Sequence, residues 1–194
     1  CLDSIIIKPE NEIEIKNALN VLNEGGIILY PSDTIWGIGC DATNDKAVKK
    51  IYDLKKRAKS KALIILIAEY ANMYKLLDQV SPNAFKYMHE SKPTTVIFDN
   101  IKNISRDAIA TDGSAAVRLV KDKFCENLIL TLGQPIVSTS ANLTGRENPK
   151  KFSEINIELK DNVDYIVNLR REEIMDTPSS IIKLYSNGKI NKIR

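Results

Sequence analysis

Three short stretches and one isolated arginine carry residue types able to hold a polyanion. The first is Tyr30-Pro31-Ser32-Asp33-Thr34-Ile35-Trp36-Gly37-Ile38-Gly39-Cys40, a buried apolar segment running into three small polar side chains and two glycines. Hydroxyls and free backbone donors at a strand end lie where open α/β sheets bind ligands. A polar turn whose glycines supply positive φ reads equally well. Gly37-x-Gly39 is not a dinucleotide fingerprint, because a third glycine and an immediate helix are missing. The second stretch, Lys49–Lys61, holds seven cations against one acid, Asp53. Its net charge is +6, so the rest of the chain carries −3 of the formal +3. Lys49 and Lys50 fit a solvated face. Lys55, Arg57, Lys59 and Lys61 alternate where a helix gives way to a strand, and alternate positions can converge on one polyanion. A triphosphate, with about four negative charges, needs several cations or a metal in a cleft.

The third stretch, Ser138-Thr139-Ser140-Ala141-Asn142-Leu143-Thr144-Gly145, follows the apolar run Pro135–Val137. Small donors without bulk suit an oxyanion or phosphate cradle, and an ordinary Ser/Thr/Asn turn has the same composition. Arg118 stands within Ala116-Val117-Arg118-Leu119. A buried arginine needs a carboxylate or phosphate, so an internal salt bridge and a bound anion are both open. No Gly-x-x-x-x-Gly-Lys-Ser/Thr loop occurs, so a nucleotide would be held without one. His89 is the single histidine; a triad or metal site would have to be built around it, and with no ligand pattern nearby it reads as an ordinary surface or half-buried helix residue.

The elements that must position these groups alternate between helix and strand. Ile15, Ala18, Leu19 and Leu22 form one helical stripe closed by Gly25-Gly26. Ile27–Tyr30 reads as a buried strand, and Asp45 as the cap of a helix facing inward through Ala47, Val48, Ile51 and Leu54. Leu63–Ile67 reads as a strand covered on both faces. Ser81-Pro82 opens a helix through Met88, and Phe124 to Leu132 forms another, closed by Gly133. Further strands are expected at Thr94–Phe98, Ala115–Val120, Pro135–Ser138 and Val163–Val167. Ser180–Tyr185 and Lys189–Ile193 flank Asn187-Gly188, a hairpin signal. That hairpin predicts a single α/β domain over residues 1–194, with a mixed rather than parallel sheet.

Composition excludes several classes. The 194 residues are 43% hydrophobic with only 8 glycines and 7 prolines, which argues against disorder or a collagen-like chain. A charge of +3 is low for a protein that coats nucleic acid through bulk charge. No apolar run approaches the roughly 18 residues of a membrane span. Cys1, Cys40 and Cys125 make neither a disulfide framework nor a zinc site. The start lacks a secretory layout, so the expected compartment is the reducing cytoplasm.

The ordered set, Tyr-Pro-Ser-Asp-Thr with its two glycines, then Lys55-x-Arg57, Val-Arg118 and Ser-Ala-Asn-x-x-Gly145, resembles the YrdC-like family over nearly the whole chain. The resemblance implies a twisted mixed β-sheet flanked by helices, with a basic concave cleft. It implies ATP, L-threonine and bicarbonate as substrates, and threonylcarbamoyl-AMP and diphosphate as products. Mg²⁺ would accompany ATP, with no metal ligand from the protein. A downstream tRNA-modifying threonylcarbamoyl transferase complex would take the product. By motif, threonine would meet Ser32, Thr34, Arg118, Ser138 and Ser179. The nucleotide would meet Lys55, Lys59, Ser114, Ser140, Asn142, Asn148 and Arg194. Lys55, Arg57 and Arg118 would stabilise charge, with no protein nucleophile. Three departures stand out: Ala62 replaces the usual proline after the basic motif, Leu66 replaces a common histidine, and Glu90-Ser91-Lys92-Pro93 replaces Trp-Pro-Gly-Pro. An RNA-binding paralogue acting in ribosome maturation is the alternative on the same scaffold. The related domain of hydrogenase-maturation proteins accompanies zinc-finger-like motifs, which this sequence lacks.

Overall fold

The computed structural model describes residues 9–56 and 63–194. Cys1, Arg57, Lys59, Lys61 and Ala62 therefore lie outside the described residues. Helix α1, Pro9–Asn23, buries Ile15, Ala18 and Leu22. It closes on Gly25 at φ +78°, with Gly26 N–H donating to Val21 O at 2.8 Å and Gly25 N–H to Leu22 O at 3.0 Å. That paired closure needs a left-handed residue, which glycine supplies without a Cβ penalty. Strands β1 (Ile28–Pro31) and β2 (Trp36–Asp41) follow as a hairpin. Helix α2, Asp45–Lys55, is capped by Asn44 rather than Asp45, its side chain accepting from Ala47 N–H. An amide oxygen one residue earlier reaches the orphan donors, whereas Asp45 already has helical geometry.

Strand β3 (Ile64–Ile67) leads to the short helix α3 (Met73–Leu76) and to α4 (Pro82–Met88), capped by Ser81 with proline at its first turn. Strands β4 (Thr94–Phe98) and β5 (Ala115–Leu119) precede helix α5 (Lys123–Leu132), which Gly133 ends at φ +74°. Strand β6 (Ile136–Ser140), helix α6 (Ile157–Asn162), and strands β7 (Tyr165–Ile166), β8 (Ser180–Leu184) and β9 (Ile190–Lys192) complete the chain. At the β8–β9 hairpin Gly188 has φ +85° and donates to Tyr185 O at 2.9 Å. Asn187 keeps negative φ, so the connection is a turn followed by a left-handed glycine rather than the two-residue primed turn.

The nine strands form one sheet in the order β7-β1-β2-β6-β3-β5-β4-β8-β9. Parallel and antiparallel pairs mix, as the sequence predicts. Alternation splits the core in two. Leu29, Trp36, Ile38, Ile65, Ile67 and Val117 pack under α2, α3 and α4. Ile28, Tyr30, Leu66 and Ile136 pack under α1 and α5, against Ala18, Leu22, Phe124 and Leu128. Strand β2 is a correction to the sequence reading. Gly37 and Gly39 are neither loop residues nor positive in φ; they sit in a central strand, paired with Ser140 and Ser138.

Candidate functional site

Pairing across the sheet places alternate residues of five neighbouring strands on one face. They are Gly37 and Gly39 of β2, Ser138 and Ser140 of β6, Ile64 and Leu66 of β3, Ala116 and Arg118 of β5, and Thr95 and Ile97 of β4. Helices α1 and α5 cover only part of this face. The small and polar remainder floors a cleft of about 410 Å³, walled by Ser32, Thr34, Ile35, Trp36, Ser114, Asn148, Pro178-Ser179 and Arg194. The cleft therefore opens on the face of the sheet, not along a row of strand ends. Ser32, Thr34, Ser114, Arg118, Ser138, Ser140, Asn148, Ser179 and Arg194 all line it.

Among the described residues, two guanidinium groups are the charged side chains that line the cleft. Arg118 is 3% exposed. Its Nη2 donates to Asp33 Oδ1 at 3.0 Å and to Thr34 Oγ1 at 3.4 Å, while its buried Nε has no partner among the described residues. The internal salt bridge and the anion site are thus not exclusive, because Asp33 occupies one edge of the fork and leaves Nε over. Arg194 donates through Nε to Ser179 O at 3.0 Å. Burial, and then the charge of Arg118, hold its guanidinium below the ordinary arginine range. No Asp or Glu among the described residues lines the cleft, so an anion placed there would relieve two like charges that feel each other.

The hydroxyls are pre-positioned. Ser32 Oγ donates to Ile35 O at 2.7 Å and accepts from Thr34 N–H at 3.1 Å, which folds the β1–β2 turn over Arg118. Thr95 and Ser179 share a hydrogen bond of 2.7 Å. Ser114 donates through both N–H and hydroxyl to Asp112 Oδ1, which lowers the Asp112 carboxyl. Lys55 and Asn142 do not line the cleft; they stand behind Ser140. The Lys55 ammonium is buried and donates to Ser140 O at 2.5 Å, Asn142 Oδ1 at 3.0 Å and Ser140 Oγ at 3.4 Å. Lys55 thus ties helix α2 to the loop after β6. Leu66, at the departure from a common histidine, is fully buried in the α1–α5 core.

Four residues gain roles that sequence reasoning did not assign. Asp33 is the partner of Arg118. Thr95 sits opposite Arg118 in the β4–β5 register, and a threonine in a strand carries no signal beyond β preference. Arg170, at φ +54°, donates to Ser32 O at 3.0 Å and pins the same turn. Tyr30, on the same face, donates across β2 to Ser138 Oγ at 2.7 Å. His89, in keeping with the bland reading, ends α4 with its ring stacked on Phe85.

Among the described residues, no three His, Cys, Asp or Glu side chains gather as a metal-binding group. None of their helices is long and apolar enough to cross a membrane. Comparison with known proteins agrees with the architecture. The profile of the Sua5, YciO and YrdC family, described as "Telomere recombination", matches residues 20–194. A threonylcarbamoyl-AMP synthase of Blochmanniella pennsylvanica is 30% identical over 181 residues, spanning 91% of each chain. The fold of Escherichia coli YciO superposes with a TM-score of 0.80 at 22% identity, covering 96% of this chain and 90% of that one. P. abyssi Sua5, solved in complex with L-threonine, gives a TM-score of 0.79 at 24% identity, covering 89% of this chain. The match spans only 51% of that Sua5, about half its length.

Proposed function

The chain belongs to the Sua5, YciO and YrdC family, and from that premise we propose that it is a threonylcarbamoyl-AMP synthase. What carries this reading is one cleft lined by two arginines and nine hydroxyl or amide side chains, with no Asp or Glu among the described residues. Such a lining suits two anionic substrates at once. Threonine's carboxylate pairs with Arg118, whose buried Nε has no partner among the described residues, beside Ser32, Thr34, Ser138 and Ser179. The nucleotide lies along Ser114, Ser140, Asn148 and Arg194. Lys55 and Asn142 hold Ser140 in place. Arg57 and Lys59 complete the basic segment in this proposal.

The neutral amine of threonine attacks the carbon of bicarbonate-derived carbon dioxide, and loss of a proton leaves a carbamate. A carbamate oxygen then attacks the α-phosphorus of ATP, and the bond to the β-phosphate breaks to release diphosphate. No protein nucleophile takes part. The chain's contribution is to hold the two substrates in line and to neutralise charge. ATP would enter as its Mg²⁺ complex, the metal supplying further charge neutralisation on the phosphates, and no Asp or Glu among the described residues lines the cleft to hold it. The product passes to a tRNA-modifying threonylcarbamoyl transferase complex, and the work is done in the cytoplasm.

Purified protein should release diphosphate from MgATP only when L-threonine and bicarbonate are both present. Omitting either should reduce release to background. Threonine-independent release, or none from folded protein, would contradict this reading and favour the RNA-binding alternative, which a salt-dependent RNA shift assay checks.

A further inference from the structure

Gly37 and Gly39 raise a question that substrate binding alone does not answer. A strand in the middle of a sheet has no conformational need for glycine here, because neither residue is positive in φ. Space is the reason. A Cβ on Gly39 would stand 2.9 Å from Tyr30 Cε1, and one on Gly37 would stand 3.3 Å from Tyr30 Cζ and 3.0 Å from Ser138 Oγ. The two glycines open a slot in which the Tyr30 ring crosses β2 and reaches the next strand.

The ring is fully buried, and its hydroxyl donates to Ser138 Oγ at 2.7 Å. A serine hydroxyl has one hydrogen and two lone pairs. Tyr30 fills a lone pair, and the Ser138 hydrogen has no acceptor among the described residues. Ser138 itself lines the cleft. We propose that Tyr30 is a positioning residue that makes Ser138 a donor into the cleft, so that the site takes an oxyanion, the carboxylate oxygen of the amino-acid substrate, beside Arg118. This rests on the reading of the cleft as a threonine site. Burial pushes the Tyr30 phenol far above its ordinary range, so it stays a donor across the working pH.

The test is a double-mutant cycle on steady-state kinetics with Tyr30→Phe, Ser138→Ala and the pair. One neutral hydrogen bond of about 1 kcal/mol corresponds to roughly a fivefold change. Tyr30→Phe should therefore raise KM for L-threonine about fivefold while KM for ATP stays within twofold. Ser138→Ala should raise it at least as much, and the double variant should be no worse than Ser138→Ala alone. A structural role for the phenol would not separate the two KM values or saturate in the cycle. Multiplicative effects, or a wild-type Tyr30→Phe beside an impaired Ser138→Ala, would overturn the proposal and leave the synthase reading standing. A wild-type Ser138→Ala would overturn both the proposal and the placement of threonine. Should Tyr30→Phe fail to fold, Gly37→Ala wedges the same pair and must raise KM for threonine; an unchanged value overturns the proposal.

Discussion

Arg118 and Asp33 are each 3% exposed in the side chain and 3.0 Å apart, so removing one strands the other as a buried charge. Loss of one member of such a pair costs about 3–5 kcal/mol. Arg118→Ala is expected to lower the unfolding free energy by that amount in urea titration, besides abolishing turnover. A loss below about 1 kcal/mol would mean that water reaches Asp33 and that the pair is not buried. The substitution therefore damages scaffold and site together, which a view of Arg118 as a pure ligand contact misses. A charge inside an apolar strand is readable in a sequence as a demand for a partner. The partner is not, because Asp33 lies 85 residues away and looks like any aspartate in a turn. Lys55 shows the same limit: its cation is plain in the sequence, but its burial behind Ser140 depends on where helix α2 meets the loop after β6.

Elements marked by their own local chemistry are legible. Ser81-Pro82, Gly25 and Gly133 each satisfy orphan backbone groups within a few residues, and the helices they bound are where the sequence puts them. Strand β2 is not legible, because its glycines answer to Tyr30 and Val137 in other strands. Gly39→Ala would bring a Cβ within 2.5 Å of Val137 O. It should destabilise by about 2–3 kcal/mol, whereas Gly145→Ala, at φ +87° in open space, should cost about 1 kcal/mol. Equal costs in thermal or urea unfolding would show that β2 can shift away from β6. At the start of α5, Asp122 accepts from Cys125 N–H through Oδ2, while Oδ1 is buried without a partner among the described residues. Burial raises its carboxyl above the ordinary range, and Asp33 adds to the shift. The folded state therefore holds that proton more tightly than the unfolded chain, so Asp122 favours folding at low pH and loses that contribution as pH rises through the carboxylate range. Asp122→Asn keeps the cap and removes the charge. The variant should match wild type near pH 3 and gain stability relative to it by pH 7. A gap that narrows with rising pH would reverse the assignment.

At the scale of the whole molecule, one sheet does two jobs. Where α1 and α5 cover the β1, β6 and β3 region, the face carries Tyr30, Leu66 and Ile136; where they stop, it carries serines, glycines, Thr95 and Arg118. Residues from positions 32 to 194 meet in that uncovered hollow, so the chemistry depends on the entire strand order and not on any one motif. In the proposed function this hollow joins threonine, a one-carbon unit and the adenylate. The direct measurement is product analysis with ¹³C-bicarbonate, L-threonine and MgATP. The expected result is ¹³C at the carbamate carbon of threonylcarbamoyl-AMP, with one diphosphate released per labelled product. Diphosphate released without labelled product, or an adenylate of threonine lacking the label, would contradict it.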